Sequence, residues 1–107
     1  MADAAAPMLR VGCPMWAHRR WVGRFYPVGT KPGTELALYA QWCRAVEGNT
    51  SFSAEPARAT VARWREQTPD DFRFACKLPS TITHDKRLRG VAAEVRSFLN
   101  AIEPLGE

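Results

Sequence analysis

Residues 45–52, A-V-E-G-N-T-S-F, run from an apolar approach into a carboxylate, a glycine, a carboxamide and two hydroxyls. A strand feeding a buried parallel sheet stays apolar until its carboxyl end, where polar groups can meet a ligand. Ala45 and Val46 fit the approach, and Glu47 onward fits the end. Glu47 and Asn49 are two residues apart, so on extended backbone they share a side. Gly48 between them permits unusual backbone angles or the close approach of a ligand. The same string also suits a strand leaving the core into a polar turn, with Asn49 and Thr50 bonded to their own backbone.

Upstream, Met8 to Cys13 is a short apolar run and reads as a first strand ending near Gly12. A long connection rich in aromatic residues, Gly and Pro follows, and Ala17 to Val22 suits one or two helical turns. Connections of this length inside a compact domain are usually functional or ordered by their own packing. Thr34 then suits an N-cap, with Glu35 in the first turn, where the helix dipole favours an anion. Leu36, Tyr39, Ala40 and Cys43 form an apolar stripe at helical spacing, with Leu38 and Trp42 beside it, so this helix is expected to be well buried.

Downstream, Ser53 or Ala54 starts a second helix, with Pro56 tolerated in its first turn. Ala57, Val61 and Trp64 make its inner stripe, Arg58, Arg65 and Glu66 face water, and the 68–71 string T-P-D-D stops it. Residues 72–78, F-R-F-A-C-K-L, alternate as a third strand: Phe72, Phe74 and Cys76 on one face, Arg73, Ala75 and Lys77 on the other. A loop, S-T-I-T-H-D-K-R-L-R-G, precedes a third helix on which Val91, Val95, Phe98, Leu99 and Ile102 share a face.

The order is therefore βαβαβα, an α/β chain whose helical crossovers imply parallel strands connected right-handedly. Three such units do not close: a (β/α) barrel takes eight units and about 250 residues. An isolated three-unit sheet leaves an edge open, through which self-association is expected.

At 107 residues the chain holds one domain at most, and 46% hydrophobic residues with 10% aromatics suit a globular core. Residues 1–8 read as a flexible tail with no basic or apolar signal region. No apolar run approaches the roughly 20 residues of a membrane span, so no membrane partner is expected. Three cysteines, Cys13, Cys43 and Cys76, are widely spaced without a C-x-x-C, which fits a reducing cytoplasm and gives no metal site. The net charge of +4 is carried mostly by arginine, in clusters at Arg19, Arg20 and Arg24, at Arg58, Arg63 and Arg65, and at Lys86, Arg87 and Arg89. Such clusters are either a solvated basic surface or a footprint for nucleic acid or another polyanion.

Several strings together resemble the YecE-like family, known as domain of unknown function 72. V-E-G-N-T-S-F at 46–52 resembles its E-G-N-T-T-F segment. Gly12 to Trp16, G-C-P-M-W, is similar to its opening G-x-P-x-W; Trp21-Val22-Gly23 with Phe25-Tyr26-Pro27 is similar to W-x-G-x-F-Y-P. F-R-F-A-C-K at 72–77 resembles F-R-F-x-x-K, and Ile82-Thr83-His84 with Leu88 resembles I-T-H-x-x-x-L. The resemblance covers residues 9–107 and implies the N-terminal portion of a TIM-like barrel domain at least twice as long. A truncated chain, incomplete and inactive alone, is the expectation. Ser53 departs from the family's usual Tyr, and Glu55 from a usual apolar residue. The resemblance implies no reaction and no cofactor.

In (β/α) barrels the chemistry sits at the carboxyl ends of strands. The ends here offer Trp16 and His18 after the first strand, Glu47 as general base or metal ligand, Lys77 as anion clamp and His84 as proton donor or acceptor. Trp16, Asn49 and Thr50 are the candidate ligand-binding residues beside them, Asn49 as an orienting donor. Each has a structural alternative: an ion pair for Glu47 and Lys77, a loop staple for His84, and loop core for Trp16. Two function classes follow. One is a barrel enzyme acting on a small polar or phosphate-containing molecule; the other is a polyanion- or nucleic-acid-binding module using the arginines.

Overall fold

The computed structural model describes residues 9–106, so the expected tail at 1–8 lies outside the described residues. Three strands form one parallel sheet in the order β1-β2-β3: β1 Gly12–Cys13, β2 Ala45–Gly48 and β3 Arg73–Cys76. Four α-helices accompany them: α1 Glu35–Tyr39, α2 Thr50–Ser53, α3 Arg58–Glu66 and α4 Ala92–Ile102. The α/β alternation and the parallel pairing match the sequence pattern.

The register is continuous across the sheet, with Cys13 beside Val46 and Val46 beside Phe74. Val46 and Phe72 join Tyr26, Leu36 and Tyr39 in a buried cluster, with Cys13, Trp16, Trp64 and Phe74 packed against it. The alternate positions Glu47, Arg73 and Ala75 are exposed. Helices therefore cover one face of the sheet, while the other face is open among the described residues. All-parallel sheets normally bury both faces.

Side chains, as much as the ladder, hold the strands together. The Tyr39 hydroxyl, fully buried, donates to the Ala45 carbonyl at 2.7 Å and accepts from the Cys13 amide at 2.6 Å, tying β1 to β2. Burial raises the Tyr39 pKa well above the usual phenol value. Ser51, also buried, has its hydroxyl 2.6 Å from the Lys77 carbonyl and 3.0 Å from the Gly48 carbonyl, at the point where β2 and β3 end. Gly12 is required by close packing: a Cβ there would lie 1.8 Å from the Ala45 carbonyl oxygen.

Several expectations are corrected. The first strand is only two residues long, and Leu9 and Val11 are exposed because the edge strand pairs only at Gly12 and Cys13. The helix after Thr34 stops at Tyr39, and the turns that follow leave Trp42 70% exposed instead of buried. Thr34 gives no side-chain cap; its hydroxyl donates to the Lys31 carbonyl, and Glu35 accepts the Gly33 amide instead. The second helix is broken: α2 begins at Thr50, and 54–57 is non-helical before α3, so Pro56 lies in a linker and Ala57 is exposed. Leu99 on α4 is exposed, while Val91, Phe98 and Ala101 are buried. Gly48 has no positive φ and room for a Cβ, so it is ordinary strand backbone. Arg58 is not merely solvated; it bonds the Asn100 carbonyl and the Glu103 carboxylate, clamping α3 to the end of α4. No helix among the described residues is long and apolar enough to cross a membrane.

Candidate functional site

At the carboxyl ends of β1 and β2 lies a cavity of about 490 Å³. Its walls include Trp16 and Met15 from the connection after β1, Glu47 at the end of β2, Asn49 and Thr50 at the start of α2, and Trp64 of α3. Glu47 points to the open face because Val46 and Gly48, its neighbours, take the buried one. Asn49 follows the strand and donates its side-chain N–H to the Pro14 carbonyl at 2.7 Å, holding the two strand ends together. That leaves its Oδ1 as an acceptor beside the cavity. Thr50 is exposed at the first turn of α2.

Trp16 has two roles at once. Its ring meets Trp64 edge-on at 5.2 Å and Phe74 at 6.2 Å, and its carbonyl accepts the Tyr26 hydroxyl at 2.6 Å. It is a core residue whose other surface lines the cavity, an arrangement that keeps the wall rigid. Burial, followed by the charge of Glu35, pushes the Tyr26 phenol up to about 12.

The Lys77 ammonium stands 4.0 Å from the Glu47 carboxylate, and both side chains are about half exposed. An exposed pair of this length contributes little to stability and opens readily to a ligand. Lys77 also lies over the Phe52 ring, 5.2 Å from its centre. His84 is placed apart. With Lys77, Phe52 and Thr83 it lines a second depression of about 380 Å³, and it does not line the Glu47 cavity. Its Nδ1 is 2.8 Å from the Thr83 hydroxyl, and its ring meets Phe52 edge-on at 5.2 Å. It sits in a single wide turn, Thr81–Asp85, closed by the Lys86 amide donating to the Thr81 carbonyl. The two basins share no lining residue, and the Glu47–Lys77 pair links them, Glu47 lining the first and Lys77 the second.

The two departures at 53 and 55 have visible places. Ser53 lines the Glu47 cavity, so a small hydroxyl replaces a large ring at its wall. Glu55 accepts a hydrogen bond from Ser97 at 3.0 Å, tying the linker before α3 to α4. The Cys76 thiol lies on the helix-covered side of β3, and burial pushes its pKa up, so it is not an activated nucleophile. Among the described residues no group of three His, Cys, Asp or Glu side chains is gathered to hold a metal ion.

Two further residues support the site: Ser51, which carries no role in the sequence reading, and Glu35, which carries only a helix-dipole one. Ser51 fixes the ends of β2 and β3, and Glu35 anchors the connection after β1. The Glu35 carboxylate, buried, pairs with Arg19 at 2.9 Å and accepts the Gly33 amide at 2.7 Å. Burial works against its charge, but hydrogen bonds from its own amide, Arg19 and Gly33 outweigh that and hold its pKa below the ordinary glutamate value. An acidic residue directly after a Gly-rich connection was the available signal, read there only as a dipole partner.

A family model described as "Protein of unknown function DUF72" matches residues 10–107. The UPF0759 protein YecE of Escherichia coli K12 is 44% identical over 98 residues, covering 92% of this chain and 34% of that protein. Its counterpart in E. coli O157:H7 matches to the same extent. The chain thus spans about a third of the length of these curated relatives. A crystal structure of a DUF72 family protein from Enterococcus faecalis V583 superposes with a TM-score of 0.69 at 27% identity, over 92% of this chain and 35% of that one. A second crystal structure of a DUF72 family protein from the same organism gives 0.55 at 30% identity, over 65% of this chain and 30% of the other.

Proposed function

The chain belongs to the DUF72 family of proteins of unknown function, and on that premise we propose that residues 9–107 are the opening three units of a (β/α) barrel whose strand-end cavity takes a small polar or phosphate-containing molecule. The observation that carries the reading is Glu47. It is a half-exposed carboxylate at the carboxyl end of a central parallel strand, it lines the cavity, and a lysine ammonium lies within 4.0 Å. Ligands of open and closed α/β sheets bind at this end of the strands.

The open sheet face fits the same proposal. Glu47, Arg73, Ala75 and Lys77 project where a barrel would have its interior, and relatives about three times as long have the further chain to enclose it. In the complete barrel, Glu47 accepts a proton from the ligand, Lys77 steadies the negative charge that develops, and Asn49 Oδ1 orients a ligand donor. His84 lines the neighbouring basin with Lys77, and serves a ligand long enough to span both. The present chain by itself supplies one wall, and is proposed to bind weakly without turnover.

The test is a thermal-shift and ligand-observed NMR screen of small polyols, sugar acids and phosphorylated metabolites against the chain and Glu47→Gln. A ligand that stabilises the chain and loses at least about tenfold in affinity in Glu47→Gln, about 1.4 kcal/mol, supports the reading. Ligands that bind both equally, or no ligand at all, defeat it.

A further inference from the structure

The three arginine clusters are not equivalent. In the second, Arg58 is held by Glu103, Arg65 by Asp70, and Arg63 turns back to Thr60. In the third, Lys86 is paired with Glu94, and Arg87 and Arg89, though without a side-chain partner among the described residues, line neither the Glu47 cavity nor the His84 depression. The first lies in the connection after β1 and joins unpaired arginines to a cavity. Arg19 is consumed by Glu35 and by the Thr30 carbonyl. Arg20 and Arg24 make no salt bridge and no side-chain hydrogen bond among the described residues, and with His18 and Trp21 they line a cavity of about 550 Å³.

From this we infer that the turn following β1 is a binding site for a phosphate group carried by a small molecule, gripped by Arg20 and Arg24 with His18 beside them.

The backbone there is already organised. Residues Arg19–Trp21 form a 3₁₀ turn, the Trp21 carbonyl accepts the Arg24 and Tyr26 amides, and Gly23 at φ +84° donates to the Tyr26 carbonyl. Trp21 is wedged edge-on against His18, Phe25 and Tyr26. The Arg19–Glu35 pair pins this turn to the start of α1, so its backbone needs little further ordering when an anion arrives, and the cost left is that of fixing the two arginine side chains. Two unpaired guanidinium groups in one concavity suit the tetrahedral oxygens of a phosphate, which they grip in bidentate fashion. The site also follows a β-strand at its carboxyl end, the end at which such sheets take their ligands. It shares no lining residue with the Glu47 cavity and stands independently of it.

Inorganic phosphate is titrated by calorimetry and by ³¹P line broadening into four proteins: the chain, Arg20→Ala/Arg24→Ala, Arg24→Lys and Arg87→Ala/Arg89→Ala. The last removes the same charge from the third cluster, and Arg24→Lys keeps the charge while losing the fork. Saturable binding is expected with a dissociation constant of about 1–10 mM. A loss of about tenfold or more in the first double variant, an intermediate loss in Arg24→Lys and less than about twofold change in the control carry the inference. Equal losses in both double variants, or no saturation, overturn it. So does binding confined to single-stranded oligothymidylate with a steep salt dependence, which assigns the arginines to a nucleic-acid backbone. If the double variant melts without cooperativity, Arg24→Lys against the control decides alone.

Discussion

Replacing Tyr39 by Phe removes one oxygen and leaves the ring packed against Phe72, 6.1 Å centre to centre. The lost oxygen makes two short bonds, one donated to Ala45 and one accepted from Cys13, and both cross from α1 to the β1–β2 boundary. Each such bond contributes about 1 kcal/mol net, and stranding a partly buried amide adds about 1 kcal/mol. The substitution should therefore cost about 2–3 kcal/mol. With an m-value of about 2 kcal/mol/M in urea, the midpoint falls by about 1–1.5 M at unchanged slope. Because β1 pairs through only two residues, the Cys13 amide should also lose most of its hydrogen-exchange protection, while β3 amides follow global stability. Urea melts followed by tryptophan fluorescence, together with exchange measured by NMR, test both effects. A destabilisation below about 0.5 kcal/mol with the Cys13 amide still protected would refute the role given to the hydroxyl.

Gly12→Ala places a methyl group 1.8 Å from the Ala45 oxygen and should cost about 2–4 kcal/mol, read as loss of β1 protection before global unfolding. Ser51→Ala removes the hydroxyl shared by the Gly48 and Lys77 carbonyls and should cost about 1–2 kcal/mol in the same melts. Glu35 has a lowered pKa, so its contribution is present above the usual glutamate value and is lost as pH falls below it. Glu35→Gln should be less stable than the parent at neutral pH, with the gap closing in acid. Tyr26 has a raised pKa of about 12, so its contribution is full below pH 10 and is lost as pH rises through about 12. Stability measured across that window should fall, and less so in Tyr26→Phe.

The strand positions and the α/β order were legible because burial imposes a period of two on residues 72–77 and a period near 3.6 on 91–102. Element lengths were harder to read. Leu9 and Val11 are apolar enough for a strand, yet an edge strand extends only as far as its neighbour pairs with it. Trp42 continues the helical stripe, yet α1 ends early, and no local rule marks where its last turns tighten. At the site, Glu47, Asn49, Thr50 and Trp16 converge because strand ends and their following residues are adjacent by topology. His84 shared that logic but lines a separate basin against Phe52, a separation visible only in three dimensions. The bonds from Tyr39 to Cys13, Ser51 to Lys77 and Glu35 to Arg19 join positions far apart in sequence, and an ordinary hydroxyl or carboxylate gives no local sign of so distant a partner.

The two-residue β1 also bears on kinetics. It gains fewer ladder bonds on pairing with β2 than β3 does, so β1 is expected to dock after the β2–β3 pair, an order that hydrogen-exchange labelling during refolding would check. Residues 14–17 of the cavity wall arrive with it. Occupancy of that cavity and docking of the first strand are therefore a linked equilibrium. A ligand that fits only the docked form lowers the frayed population of β1 by a factor of one plus its concentration over its dissociation constant, and its presence should be readable as protection at the Cys13 amide.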